Sequence, residues 1–268
     1  MSRCEELTRA SMIPRLTNGM FGPEGYRFEE VVDSTNRMAM TLAQEGAPHG
    51  TVVVADGQTG GRGRLGRSWA SPPGVNLYFS MILKPELPLE RVAMLTLLTG
   101  VALAECVTAA GLDGARLKWP NDLLHGGRKL GGILAEMTAR GERARYVIVG
   151  VGLNVNGRAT GFPADVAQRA VTMAEVLGRD SNRGEVLADF LHRFTGWYRC
   201  FLEEGFASVR AEWLGYARLT GGERVRVTTE SGEVTGEALD LDERGCLMVR
   251  RGDGGILRVM TGEINFER

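Results

Sequence analysis

Residues Val92 to Ala104, VAMLTLLTGVALA, form the longest uncharged apolar run in the chain, and Glu90, Arg91 and Glu105 bracket it. The run falls well short of the roughly 20 residues a membrane helix needs, so it reads as the buried core helix of a folded domain, spanning about Leu89 to Ala110. Such a helix needs other layers to cover it. At 268 residues and 43% hydrophobic content the chain can supply them and still carry a smaller appendage.

The flanking sequence supplies strands. YRFEEVV (Tyr26 to Val32) alternates like a strand, and DSTN follows as a turn that opens a helix with apolar positions at Met38 and Leu42. TVVVAD (Thr51 to Asp56) and NLYFSMIL (Asn76 to Leu83) read as strands joined by a Gly/Arg loop. After the core helix, ARLKW, KLGGILAEM and RYVIVGVGLNV favour neighbouring strands, with edges near Tyr146 to Asn154 offered for pairing between subunits or with a partner. Helices are expected at about Val171 to Leu177, over Arg183 to Glu204, and ending near Tyr216. From Gly221 onward the pattern becomes short strands at hairpin spacing, which suggests a small β-barrel.

Charge and cysteine usage exclude several classes. Lys plus Arg at 32 against Asp plus Glu at 33 leaves no global field for nucleic acid or an acidic membrane, so any basic site is local. The N-terminal MSRCEELTRASMIPRL lacks a secretory signal. Cys4, Cys106, Cys200 and Cys246 form no metal-ligand spacing, which suits reduced thiols in a cytoplasm. His49, His125 and His192 are equally scattered and give neither a zinc site nor a triad.

The sharpest local feature is GGRGRLGR, Gly60 to Arg67. It satisfies G-x-G-x-x-G, but SWASPPG and a second strand follow where a dinucleotide site needs a helix N-terminus. A disordered RGG-like segment would be longer and repeated. Glycines let backbone N–H groups approach a ligand while Arg62, Arg64 and Arg67 converge on anionic oxygens, so the loop suits a small, highly charged anion. KWPND (Lys118 to Asp122) and RKLGGIL add Lys118, Lys129 and a glycine pair, Gly131 and Gly132, where something approaches a strand closely. Asn154 and Asn156 stand where VGLNVN ends.

STN at Ser34 to Asn36, GRGRLGRSW at Gly61 to Trp69, KWPNDL at Lys118 to Leu123, KLGGIL at Lys129 to Leu134 and GVGLNV at Gly150 to Val155 resemble, in order and spacing, the biotin protein ligases. The resemblance runs from about Tyr26 to the C-terminus. It implies an α+β fold: a catalytic domain like the class II aminoacyl-tRNA synthetases over residues 26–217, then an SH3-like barrel over 218–268, with 1–25 as an N-terminal extension. It implies ATP and Mg²⁺ used to make biotinyl-5′-AMP, and transfer of biotin to a lysine of a biotin carboxyl carrier domain.

By the same resemblance Ser34, Thr35, Asn36 and Gln58 hold the ureido head of biotin. Gly61, Arg62, Gly63 and Arg64 close over the valeryl tail and adenylate, and Gly132 walls the pocket. Lys129 is the catalytic lysine, with Arg64 beside it. Trp69, Lys118, Asn121 and Asn154 serve the nucleotide, and Mg²⁺ lies near Asp122 and Asn154. Asp122 is also the candidate base for the acceptor lysine. The roughly twenty-five residues before Tyr26 are too few for the three-helix DNA-binding domain that some members carry, so no DNA binding is expected. A homodimer stays open. The rivals are a lipoate or octanoate ligase of the same architecture and, from another class, a nucleic-acid-binding module.

Overall fold

A computed structural model describes residues 5–17, 19–217, 219, 222–229 and 232–266. Cys4, Arg218 and Gly221 lie outside the described residues.

The described residues build a seven-stranded sheet in the order β1-β2-β3-β7-β6-β5-β4 and a five-stranded antiparallel sheet in the order β11-β10-β9-β8-β12. The first contains β1 (Tyr26–Val32), β2 (Thr51–Gln58), β3 (Leu77–Leu83), β4 (Ala115–Lys118), β5 (Asp122–His125), β6 (Arg128–Arg140) and β7 (Arg143–Leu153). Only β1 and β2 run parallel, and every other neighbouring pair is antiparallel. The second contains β8 (Glu223–Thr229), β9 (Gly232–Leu241), β10 (Leu247–Arg250), β11 (Ile256–Val259) and β12 (Glu263–Phe266).

Around the sheets lie α1 (Arg9–Met12), α2 (Thr35–Gln44), α3 (Val92–Ala109), α4 (Ala164–Ala167), α5 (Met173–Leu177), α6 (Arg183–Glu204) and α7 (Ala207–Tyr216). The expected core helix is α3 with a one-turn lead-in. Together, Leu89–Ala109 are long and apolar enough to cross a membrane, but 72% of the most apolar window is buried. Leu95, Leu98, Val101 and Ala102 are fully buried, and α3 packs against α6, α7 and strands of the first sheet, which cover most of its apolar surface. Residues before Tyr26 join this core through Leu7, Met12, Leu16 and Phe21.

The sheet has two unlike faces. Ile133, Val149 and Val151 face the α3 core, whereas α2 covers part of the other face through Ala39, Ala43, Val53, Ile82 and Ile148. Alternation along β6 and β7 therefore places Gly132, Leu134, Glu136, Gly150 and Gly152 on the α2 side. The expectation that Tyr146 to Asn154 forms an edge is overturned. β7 is bonded to β3 and β6 along Val147–Leu153, because its continuous apolar run is buried on both faces, and the open edges are β1 and β4.

The short strand β5 is absent from the sequence reading. Gly126 and Gly127 both take positive φ, 57° and 78°, and form the two-residue turn that folds β5 back against β6. That hairpin sets Asp122 opposite Gly132, and on its other side β5 pairs with β4 so that Lys118 lies opposite Asp122.

Candidate active site

Two adjoining cavities open where the α2 side of the sheet meets the arginine loop and β12. The first, about 120 Å³, is lined by Ser34, Thr35, Asn36, Gln58, Arg62, Gly63, Arg64, Trp69, Lys118, Asn121, Asp122, Lys129, Gly132, Gly150 and Gly152, among others. The second, about 310 Å³, shares Arg67, Trp69, Lys118, Asp122, Lys129 and Glu263 and adds Asn154 and Asn265. Segments far apart in sequence thus converge, and of the expected site residues only Gly61 lines neither cavity. Its backbone carries a crossing of the loop: Trp69 N donates to Gly61 O, and a Cβ at Gly61 would overlap the Trp69 carbonyl.

One end is lined mainly by neutral hydrogen-bonding groups, with an ion pair, Arg62–Glu136, behind them. Ser34 precedes the first turn of α2 without spending its hydroxyl on a cap. Gln58 Oε1 accepts from the Thr35 N–H at 2.8 Å, and Gln58 Nε2 donates to Ser71 Oγ at 2.8 Å. The buried Ser80 hydroxyl lies 2.6 Å from Asn36 Oδ1 and 2.8 Å from Thr35 Oγ1. Asn36 Nδ2 donates to Glu136 Oε2 at 2.8 Å, and Glu136 Oε1 pairs with Arg62 at 2.5 Å. Gly150 is required here, since a Cβ would overlap Asn36 Oδ1.

The other end is cationic. Lys129 Nζ lies 2.6 Å from Asp122 Oδ1 and 5.3 Å from the centre of the Trp69 ring. Trp69 packs over Gly132 and Gly152, where side chains would collide with the indole, so the glycine at 132 makes room for tryptophan in the wall. Among the described residues the buried Trp69 Nε1 has no hydrogen-bond partner, an uncommon state for a buried donor. Arg64 donates to Asn121 Oδ1 at 3.3 Å and to Gly262 O at 3.1 Å, and Arg67 pairs with Glu263. Burial lowers the pKa of Lys118 and of Arg64, because desolvation disfavours their charged forms. The hydrogen bond from Arg67 holds the Glu263 carboxyl below its ordinary range.

Asn154 and Asp122 line the second cavity together, and Asn154 also braces the start of β6. Its Nδ2 donates to Lys129 O at 3.2 Å and Val171 O at 3.1 Å, fixing the strand start that carries Lys129. Asp122 and Glu263 are both ion-paired, and no group of three metal-capable side chains gathers among the described residues. One carboxylate, Asp122, beside a cavity is the kind of protein contact that an ion carried in by phosphates uses. The loop after β2 holds a one-turn helix at Arg64–Gly66 and no longer one, so a dinucleotide fingerprint has no helix to complete it.

Four contributors escape the sequence reading: Ser71, Ser80, Glu136 and Glu263. Ser80 and Glu136 sit inside strands, where alternation alone marks their face. Glu263 comes from the second sheet, and nothing in its neighbourhood of sequence points to the first.

The Biotin/lipoate A/B protein ligase family matches residues 28–154, and the Biotin protein ligase C terminal domain matches residues 220–266. Bifunctional ligase/repressor BirA of Bacillus subtilis is 38% identical over 89% of this chain and 73% of its own length. The chain belongs to the biotin protein ligase family. Biotin--[acetyl-CoA-carboxylase] ligase of Paracoccus denitrificans is 33% identical over 87% of this chain and 97% of that protein. A solved structure titled as Aquifex aeolicus biotin protein ligase in complex with biotin and ATP superposes with a TM-score of 0.79 at 34% identity, covering 91% of this chain and 98% of that one. The family's catalytic domain has the class II aminoacyl-tRNA synthetase-like fold, and the first sheet with its helices corresponds to it.

Proposed function

We propose that the chain is an ATP-dependent biotin protein ligase that forms biotinyl-5′-AMP and passes biotin to a lysine of a carboxyl carrier domain. The observation that carries this reading is one site with a neutral, hydrogen-bonding end on α2 and a cationic end at Lys129, Lys118 and Arg64. A ureido ring offers N–H donors and a carbonyl acceptor and suits the first end. Two anions, a carboxylate and a triphosphate, need the second.

The carboxylate oxygen of biotin attacks the α-phosphorus, the bond to the pyrophosphate oxygen breaks, and pyrophosphate leaves. Lys129 and Arg64 offset the repulsion between the partners in a partly water-shielded site. The amine of the carrier lysine then attacks the acyl carbonyl and AMP departs with the former carboxylate oxygen. Lys129 stabilises the developing oxyanion, and Asp122, 2.6 Å from Lys129, is placed to take the proton that the amine sheds. Trp69 at the shared wall serves the adenine side, and Arg62 with Arg64 covers the intermediate. A Mg²⁺ ion carried by the nucleotide phosphates would meet the Asp122 side of the site and would neutralise phosphate charge there.

Incubation with labelled biotin, MgATP and a carrier domain tests the whole reading. Label on one carrier lysine, with release of AMP and pyrophosphate, is the expected result. Equal labelling with lipoate would favour the related acyl-ligase chemistry, and salt-sensitive nucleic-acid binding without pyrophosphate release would favour the other rival.

A further inference from the structure

Glu136 stands in the middle of β6 on the α2 side of the sheet and lines neither cavity. A carboxylate in that position costs desolvation energy unless both oxygens are paired. Both are. Oε1 holds Arg62 of the loop at 2.5 Å, and Oε2 accepts from Asn36 of α2 at 2.8 Å, so one side chain joins two segments that both line the first cavity. The Asn36 amide nitrogen spends its other N–H on Leu134 O at 3.2 Å. Its two donors are therefore committed, so a substrate group that takes a hydrogen bond from Asn36 displaces or shares one of those bonds, and displacing the bond to Glu136 frees that carboxylate oxygen. The released oxygen has the Arg62 guanidinium beside it, a planar fork that can donate a second hydrogen bond to the same carboxylate.

We infer that Glu136 is a positioning residue that couples filling of the neutral end to closure of the arginine loop. The inference rests on the ligase reading, which makes that end the biotin subsite.

Limited trypsin digestion of the full chain, followed at the arginines of residues 60–67 with and without biotin, tests it when combined with calorimetric biotin affinity. In the wild type biotin should slow cleavage in this stretch. In Glu136→Ala the unliganded loop should be cut about tenfold faster, the scale of one lost hydrogen bond to a charged group. Biotin should still bind that variant within about threefold of wild-type affinity, which is less than one such bond is worth, yet give little protection. Glu136→Gln keeps the shape and loses the charge, so it should show the same uncoupling even if the alanine variant folds poorly. Unliganded cleavage equal in all three proteins, or full protection by biotin in both variants, overturns the inference. Failure of the wild type to bind biotin would instead sink the ligase reading, while unliganded cleavage still decides whether Glu136 ties down the loop.

Discussion

The two ends of the site are built on opposite principles. At the α2 end Ser34, Thr35, Asn36 and Ser80 are buried, and hydrogen bonds within the first sheet and its helix orient Thr35, Asn36 and Ser80. At the cationic end Arg64 and Arg67 reach across to Gly262 and Glu263 at the second sheet, and Lys129 rests against Asp122. On the ligase reading, the difference teaches that a neutral ligand group is met by a hydrogen-bonded network in which at most one bond has to yield, whereas phosphate charge is met by cations whose present ion-pair partners must be given up. Ion pairs that exchange partners are suited to a site that binds one anion, releases another and then admits an amine.

Lys129→Ala is the strongest way to break the asymmetry. On the proposed mechanism it removes the catalytic cation, and biotin-dependent pyrophosphate exchange should fall by about 10²–10³-fold, as when an oxyanion donor is deleted. Exchange at the wild-type rate would place the chemistry elsewhere. Gly150→Ala attacks the other end, because its methyl group overlaps Asn36 Oδ1. Overpacking of that kind costs about 1–3 kcal/mol, so biotin affinity measured by calorimetry should drop by roughly 5- to 150-fold. An unchanged affinity would separate Asn36 from the biotin subsite.

Arg64→Gly sharpens the comparison without destroying either end. Loss of the contacts to Asn121 and Gly262 should loosen the loop, so that adenylate escapes and labels lysines of bystander protein. Equal retention in mutant and wild type would end the lid reading. The smallest effect belongs to Glu263. Its folded carboxyl titrates below the ordinary 4.5, chiefly through the Arg67 hydrogen bond, so its contribution to stability is present above the unfolded value and is lost as pH falls through the folded one. For an ion pair this exposed the loss should be about 1 kcal/mol or less, visible as a shallower acid decline of the melting temperature in Glu263→Gln than in wild type. Parallel curves would show that the pair contributes nothing to holding the second sheet in place.

Most of the fold was legible because its signals are local and long. The run beginning at Val92 gives α3, and Arg183–Glu204 appears as α6 with the expected bounds, since periodicity over 22 residues is hard to mistake. DLLH was missed because four residues carry no period, although the Gly126-Gly127 pair that returns β5 to β6 was a turn signal in plain view. At the site, the arginines and Lys129 announce themselves by composition and by resemblance. Glu136 and Glu263 do not, because a carboxylate in a strand looks solvated until the partner across the sheet, or from a second domain, is known. The reading of β7 as an edge failed for the converse reason: hydrophobicity says that a strand is buried, but not between which neighbours.

The most direct test is a crystal structure with a non-hydrolysable biotinyl-adenylate analogue. The account predicts the ureido ring within hydrogen-bond distance of Ser34, Thr35 or Asn36 and the phosphate bridged by Lys129 and Arg64. A phosphate bound away from both cations, or a ureido ring at the Trp69 wall with α2 untouched, would contradict it.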